Sequence, residues 1–117
     1  TTDGGGSETV TDDFFLPSKQ EVGLGSENGI SEGSLLALFN SNNSSRLRTC
    51  TPQAIANSNY SSNPSSAANW IWRLRSPYSG YAYNVRIVNT DGSENNNNAY
   101  NGNNGVRPAS VEFTATK

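Results

Sequence analysis

Apolar and polar positions divide the chain into short patterned stretches separated by long runs of Asn, Ser, Thr and Gly. Val10 to Leu16 holds the first apolar cluster, Phe14-Phe15-Leu16, and predicts a strand. Ser18-Lys19-Gln20-Glu21 fits a capping box, in which the Ser hydroxyl accepts from the backbone N–H near Glu21 while the Glu side chain reaches back. A short helix is therefore expected from Pro17 or Ser18 to Gly23 or Gly25. Asn28-Gly29 marks a turn, and Ser31 to Phe39 predicts a second short helix with Leu35, Leu36, Leu38 and Phe39 as its apolar side. Those leucines are assigned to the core. Asn40 to Ser45 reads as a polar loop, and Thr51-Pro52 opens a third short helix, with Thr as cap and Pro at the first helical position.

The second half has the periodicity of strands. Trp70 to Arg75 alternates, placing Trp70, Trp72 and Leu74 on one face and Ile71, Arg73 and Arg75 on the other; Ser76-Pro77 is expected to end it. Tyr81 to Asn89 alternates again, with Tyr81, Tyr83, Val85 and Ile87 on one side, and Asn89-Thr90-Asp91-Gly92 supplies turn chemistry. Asn95 to Asn104, NNNNAYNGNN, is expected to be a displayed loop, because such sequence buries too little apolar surface to fold alone. Ala109 onward alternates to the end of the chain. First and last strands are placed to pair. The pattern as a whole is α+β: a strand, small helices, then antiparallel strands joined by long polar loops.

The 117 residues suit one domain. Thr1 to Thr9, with Gly4-Gly5-Gly6, reads as a flexible lead-in, which leaves 10–117 as the folded unit. Beginning at Thr1 rather than Met, the sequence is expected to be a processed product or an excised portion. Only 32% of residues are hydrophobic, yet charge is also low at 15%, so the polarity is that of Asn, Ser, Thr and Gly rather than of a charged disordered chain.

The net charge of −2 hides an asymmetry. Seven acidic residues and one Lys precede Arg46, whereas seven basic and three acidic residues follow from it, so the halves are expected to neutralise one another. No nucleic-acid partner is expected, since overall acidity opposes phosphate approach. Membrane insertion is not expected either, as no apolar run approaches the roughly 18 to 20 residues that span a bilayer.

Chemistry is restricted by what is missing. With one cysteine, Cys50, and no histidine, neither an intrachain disulfide nor a His/Cys metal site can be built. Cys50 has no imidazole to activate it and reads as a small packing residue. No catalytic residues, metal or cofactor are expected. Asp91, Glu94 and nearby Asn oxygens are calcium-compatible donors, but Asp91-Gly92 is more simply a turn.

Three motifs in order, Phe15-Leu16-Pro17-Ser18-Lys19-Gln20-Glu21-Val22, Trp70 to Pro77, and Gly105-Val106-Arg107-Pro108-Ala109, resemble a bacterial and phage domain family of uncharacterised function. That family is similar to the C-type lectin fold in its formylglycine-generating-enzyme-like variant. The resemblance implies short helices packed on small antiparallel sheets with long surface loops. Proteins of this kind include the variable proteins of diversity-generating retroelements, in which adenine-rich Asn codons are the usual sites of variation. It further implies that Asn95, Asn96, Asn97, Asn98, Asn103 and Asn104 are template-like variable positions, with Tyr78, Tyr81, Tyr83 and Tyr100 as diversified ones. The paired cysteines of formylglycine-generating enzymes and the sugar-binding calcium motifs of C-type lectins are absent, so neither activity carries over.

Binding suits these residues better than catalysis. Tyr offers large area with two side-chain torsions to freeze, and Asn offers donors and acceptors that adapt to varied partners. The expected ligand-binding set is Tyr78, Tyr81, Tyr83, Asn95 to Asn98, Tyr100, Asn101, Asn103 and Asn104, with Trp70, Trp72, Arg75 and Arg107 as structural anchors, the two arginines donating to loop carbonyls or carboxylates. The expected function is a display domain on a virion, phage appendage or bacterial surface that recognises a host cell-surface protein or glycan in multiple copies; a homo-oligomer is compatible with this. A structural virion decoration domain without a ligand stands as the alternative.

Overall fold

Backbone pairing in the computed structural model, which describes residues 14–58 and 68–110, begins by joining the two ends of the domain. Strand β1 (Phe14–Phe15) runs antiparallel to β5 (Ala109–Ser110), with Phe14 opposite Ser110 and Phe15 opposite Ala109. The rest of both expected terminal strands, and the lead-in, lie outside the described residues. A second antiparallel sheet has the order β2-β3-β4, from Trp72–Pro77, Asn84–Val88 and Glu94–Asn98. With one short helix among the described residues, α1 (Pro52–Ala56), and a 3-10 turn at Asn43–Arg46, the domain is α+β.

Strand β2 starts two residues later than its alternation predicts and runs through Ser76 and Pro77 instead of stopping before them. Between Arg73 and Pro77 it advances four residues while β3 advances only two, from Ile87 to Val85, so the strand bulges. Proline is tolerated at such an irregularity because no ladder hydrogen bond is required of it there. Alternation still sorts the side chains: Trp72, Leu74 and Ser76 are buried and Arg75 is exposed.

The core is a cluster of Val22, Phe39, Trp72, Leu74 and Val88, with Leu24 and Leu36 packed against it. The Phe39 and Trp72 rings stack at 6.2 Å between centroids. Val88 is the β3 residue facing this cluster; Ile87, grouped with the tyrosines by its odd-numbered alternation, is buried on the opposite face, across from Arg73 and Asn95.

Two expected helices are not there. At 17–23 the capping box forms, with Glu21 N donating to Ser18 Oγ (3.1 Å) and Ser18 N to Glu21 Oε2 (2.8 Å). Yet only turns follow, because Gly23 at φ +86° ends the segment before helical propagation offsets the cost of nucleation. The Ser31 to Phe39 stretch is irregular as well. One backbone donor is claimed from outside, Leu36 N by Glu21 O (2.9 Å), and Phe39 N closes only a local turn on Leu36 O (3.0 Å). Phe39 and Leu36 pack inward, but Leu35 (54% exposed) and Leu38 (71%) do not belong to the core. Helix α1 does form as expected, with Thr51 Oγ1 accepting from Ala54 N (3.1 Å), though it buries no residue.

Arg46 completes the interior. It is 1% exposed, and its guanidinium donates to the carbonyls of Gly92 (2.8 Å), Val22 (3.2 Å) and Asn40 (3.0 Å) and to Asn43 Oδ1. Its own carbonyl accepts from Trp72 Nε1 (3.0 Å). A buried cation thus ties the 3-10 turn, the capping-box turn and the β3–β4 turn to the aromatic core. In the β3–β4 turn Gly92 has φ +84° and lies against Asn43 O, so a side chain there is excluded twice.

Candidate ligand-binding face

The Asn-rich stretch is where the structure departs furthest from expectation. Glu94 to Asn98 is a strand rather than a displayed loop, paired residue for residue with β3 from Val88–Glu94 to Asn84–Asn98. Asparagine disfavours strands, but backbone ladder bonds do not depend on side-chain type, and β3 has an open edge on which the chain returns after the Asn89–Gly92 turn. That turn closes with Gly92 N to Asn89 O (3.0 Å) and Asn89 N to Ser93 O (2.8 Å).

The ladder extends one step further, with Ala99 N donating to Tyr83 O (2.8 Å). It thereby sets two turns side by side at one end of the sheet. The turn joining β2 to β3 carries Tyr78, Tyr81 and Tyr83; the turn after β4 carries Tyr100. Tyr81 (55% exposed) and Tyr83 (58%) stack at 5.6 Å between ring centroids, and Tyr78 and Tyr81 meet tilted at 5.9 Å. Tyr100 is the most exposed at 82%, its hydroxyl accepting from Asn98 Nδ2 (3.0 Å). Four sequence-predicted tyrosines are therefore gathered at one rim.

That rim is held from below by charge. Arg86 on β3 places its guanidinium 4.4 Å from the centre of the Tyr78 ring and donates to both Glu27 oxygens, at 2.7 and 3.0 Å. Glu27 also accepts from Ser79 N (3.1 Å) and Ser79 Oγ (2.7 Å), and so fixes the Tyr78–Tyr81 turn directly. Lys19 and Glu94 complete the set: Lys19 Nζ lies 3.1 Å from Glu27 Oε2, and Glu94 Oε1 lies 2.9 Å from Lys19 and 3.0 Å from Arg86. Two cations and two carboxylates make a neutral cluster. Burial alone would push the Glu27 carboxyl up; hydrogen bonds from Arg86, Ser79 and Lys19 outweigh it and bring its pKa down from 4.5 to about 2. Glu94 is thus engaged by cations, and Asp91 Oδ1 accepts from Ser93 N (2.9 Å) as part of its turn. Among the described residues no group of three His, Cys, Asp or Glu side chains is placed to hold a metal.

The asparagines are unequal. Asn95 is exposed, whereas Asn96, Asn97, Asn98, Asn101, Asn103 and Asn104 are half-buried. Asn97 Nδ2 donates to Asn104 Oδ1 (3.2 Å), Asn101 Nδ2 to Asn97 Oδ1 (3.3 Å), and Asn84 Nδ2 to Asn96 Oδ1 (2.7 Å). The segment 101–104 crosses back to β2, where Trp70 Nε1 donates to Asn103 O (2.8 Å), Arg73 Nη2 to Asn101 O (3.2 Å), and Gly105 pairs with Trp72. A Cβ on Gly105 would stand 3.1 Å from Ile71 O, which accounts for glycine at that close approach.

The expected anchors fall in different places. Trp70 holds the crossing segment, and Trp72 holds the core. Arg75 grips Glu21 with both arms (2.6 and 3.0 Å) and the Leu16 carbonyl (2.9 Å), so it secures the capping-box turn rather than the Asn-rich segment. Arg107 makes no hydrogen bond or ion pair with the described residues. The arginine that holds the Asn-rich segment is Arg73, which the alternation placed only on the strand face opposite Trp72 and Leu74.

A family model for a domain of unknown function (DUF6273) matches residues 1–111. The chain belongs to this family. No curated protein and no solved structure matches the chain. Within this DUF6273 domain, sequence reasoning missed Glu27, Ser79 and Arg86, on which the tyrosine rim rests. Arg86 and Glu27 are 59 positions apart, and no local pattern pairs charges over that distance. Cys50, expected to be a buried packing residue, is half-buried, and burial pushes its thiol pKa up.

Proposed function

We propose that this DUF6273 domain is a non-catalytic ligand-binding display module, with the tyrosine rim and the outer Asn residues as its contact surface. The observation that carries the reading is the rim itself: two stacked tyrosines more than half exposed, on a turn locked by Glu27 and Arg86. Large aromatic area left in water on a fixed base lowers the ordering cost that binding otherwise bears. The C-type-lectin-like fold and the variable-protein resemblance belong to the same proposal. They point to a virion, phage appendage or bacterial surface, and to a host cell-surface protein or glycan as ligand. Weak single-site contacts would be multiplied by repeated copies.

The second reading, a structural decoration domain, draws on the amide network: Asn97 donates to Asn104 and accepts from Asn101, which leaves fewer groups for a partner. Screening the multimerised domain on glycan and protein arrays separates the two. Binding that weakens at least fivefold in Tyr81→Ala and Tyr100→Ala, with thermal stability nearly intact, is the expected outcome. Binding that is equal across both variants places the contact surface elsewhere.

A further inference from the structure

A cavity of about 320 Å³ opens away from the tyrosine rim, between the Arg48–Thr51 segment ahead of α1 and the Gly105–Pro108 segment. Its volume is at the small end of the range for ligand pockets. Ala54, Trp70, Ile71 and Val106 supply apolar wall, and two arginines, Arg48 and Arg107, share the lining; among the described residues no Asp or Glu does.

The other arginines among the described residues are matched. Arg46 has four acceptors, Arg73 a carbonyl, Arg75 the carboxylate of Glu21, and Arg86 those of Glu27 and Glu94. Arg48 and Arg107 depart from this. Arg48 is positioned rather than neutralised: Nη1 donates to Ser45 O (2.8 Å) and Leu47 O, the guanidinium sits 5.0 Å over the Phe39 ring, and Nε is buried without an acceptor. Arg107 has no polar partner among the described residues. Burial lowers the pKa of both, and the like charge of Arg107 lowers that of Arg48 further. Two cations beside one partly enclosed, low-dielectric space repel each other unless an anion sits between them.

We propose that this cavity binds a small organic carboxylate, gripped by Arg107 over the fixed charge of Arg48, with its apolar body against Trp70, Ile71 and Val106. The guanidinium fork matches a carboxylate in two parallel hydrogen bonds. The apolar wall favours a carbon-rich anion over a fully hydrated inorganic one. The site is independent of the tyrosine rim and goes beyond the display reading.

Calorimetry and tryptophan fluorescence, with benzoate, neutral benzamide and inorganic phosphate as probes in low salt, test this on the whole chain. Benzoate is expected to bind at least tenfold more tightly than either of the others, and to weaken as salt rises. Arg107→Gln should reduce benzoate affinity at least tenfold and Arg107→Lys less, while the Arg107→Gln melting temperature stays level or rises because a like-charge repulsion is removed. A fall in melting temperature with unchanged benzoate affinity would mark Arg107 as structural and overturn the proposal. So would benzamide or phosphate binding as well as benzoate, or no response to millimolar benzoate. Tyr81→Ala must leave benzoate binding unchanged; a loss there would merge this site with the rim and overturn its independence, whereas failure of benzoate alone leaves the display reading to its own arrays.

Discussion

Arg86 and Glu27 meet through two hydrogen bonds, Nε to Oε2 at 2.7 Å and Nη2 to Oε1 at 3.0 Å, and so join the middle strand of the sheet to the Asn28-Gly29 turn, which is closed by the Glu27–Ile30 bridge. The same guanidinium supports the Tyr78 ring at 4.4 Å, so one ion pair underlies both the fold and the exposed aromatic rim.

Acid should expose that dependence. The Glu27 pKa is about 2 in the fold and 4.5 ordinarily, so the folded state holds this carboxylate ionised more strongly than the unfolded chain does. Its contribution to stability is complete above pH 4.5 and is lost as pH falls toward 2. Denaturant midpoints measured across that interval should fall for the wild-type protein and fall less steeply for Glu27→Gln. Parallel pH profiles would show that another carboxylate governs acid unfolding.

Arg46→Met keeps bulk but removes every side-chain donor, leaving the carbonyls of Val22 and Gly92 without a donor and that of Asn40 with only the Ser45 hydroxyl. A buried acceptor left without its donor costs about 1 to 3 kcal/mol. Urea unfolding should therefore show a large loss for Arg46→Met, with Arg46→Lys intermediate, since a lysine ammonium cannot span four acceptors in the same geometry. A methionine variant as stable as wild type would mean that the guanidinium contributes only its volume.

Trp72→Ala removes the 2%-exposed ring that stacks on Phe39 and donates to the Arg46 carbonyl. Loss of a large core aromatic costs about 3 to 5 kcal/mol. In a domain with so small an apolar cluster, differential scanning calorimetry is expected to show a much lower or absent cooperative transition. A transition at the wild-type temperature would place the core elsewhere.

Features that depend on neighbours in sequence were legible before any fold was known. The capping box at Ser18–Glu21, the Thr51 cap and Pro52 start of α1, the Asn89–Gly92 turn and the inward face of Trp72 and Leu74 each follow from residues within a few positions of one another. The α+β character and a low-charge, cysteine-poor chemistry were likewise fixed by composition and pattern. The tertiary structure decided the rest, because the deciding partners lie far away. Leu36 is drawn into a backbone bond with Glu21, so no helix forms over Ser31–Phe39 and Leu35 and Leu38 stay in water. Asn95 to Asn98 become a strand because β3 offers unpaired amides and carbonyls at the right spacing, and a ladder bond outweighs a weak side-chain preference. Arg46, Glu27 and Arg86 look like ordinary surface charges in the sequence. Only long-range packing, which takes them out of water and must then supply a partner for each, makes them the supports of the core and the rim.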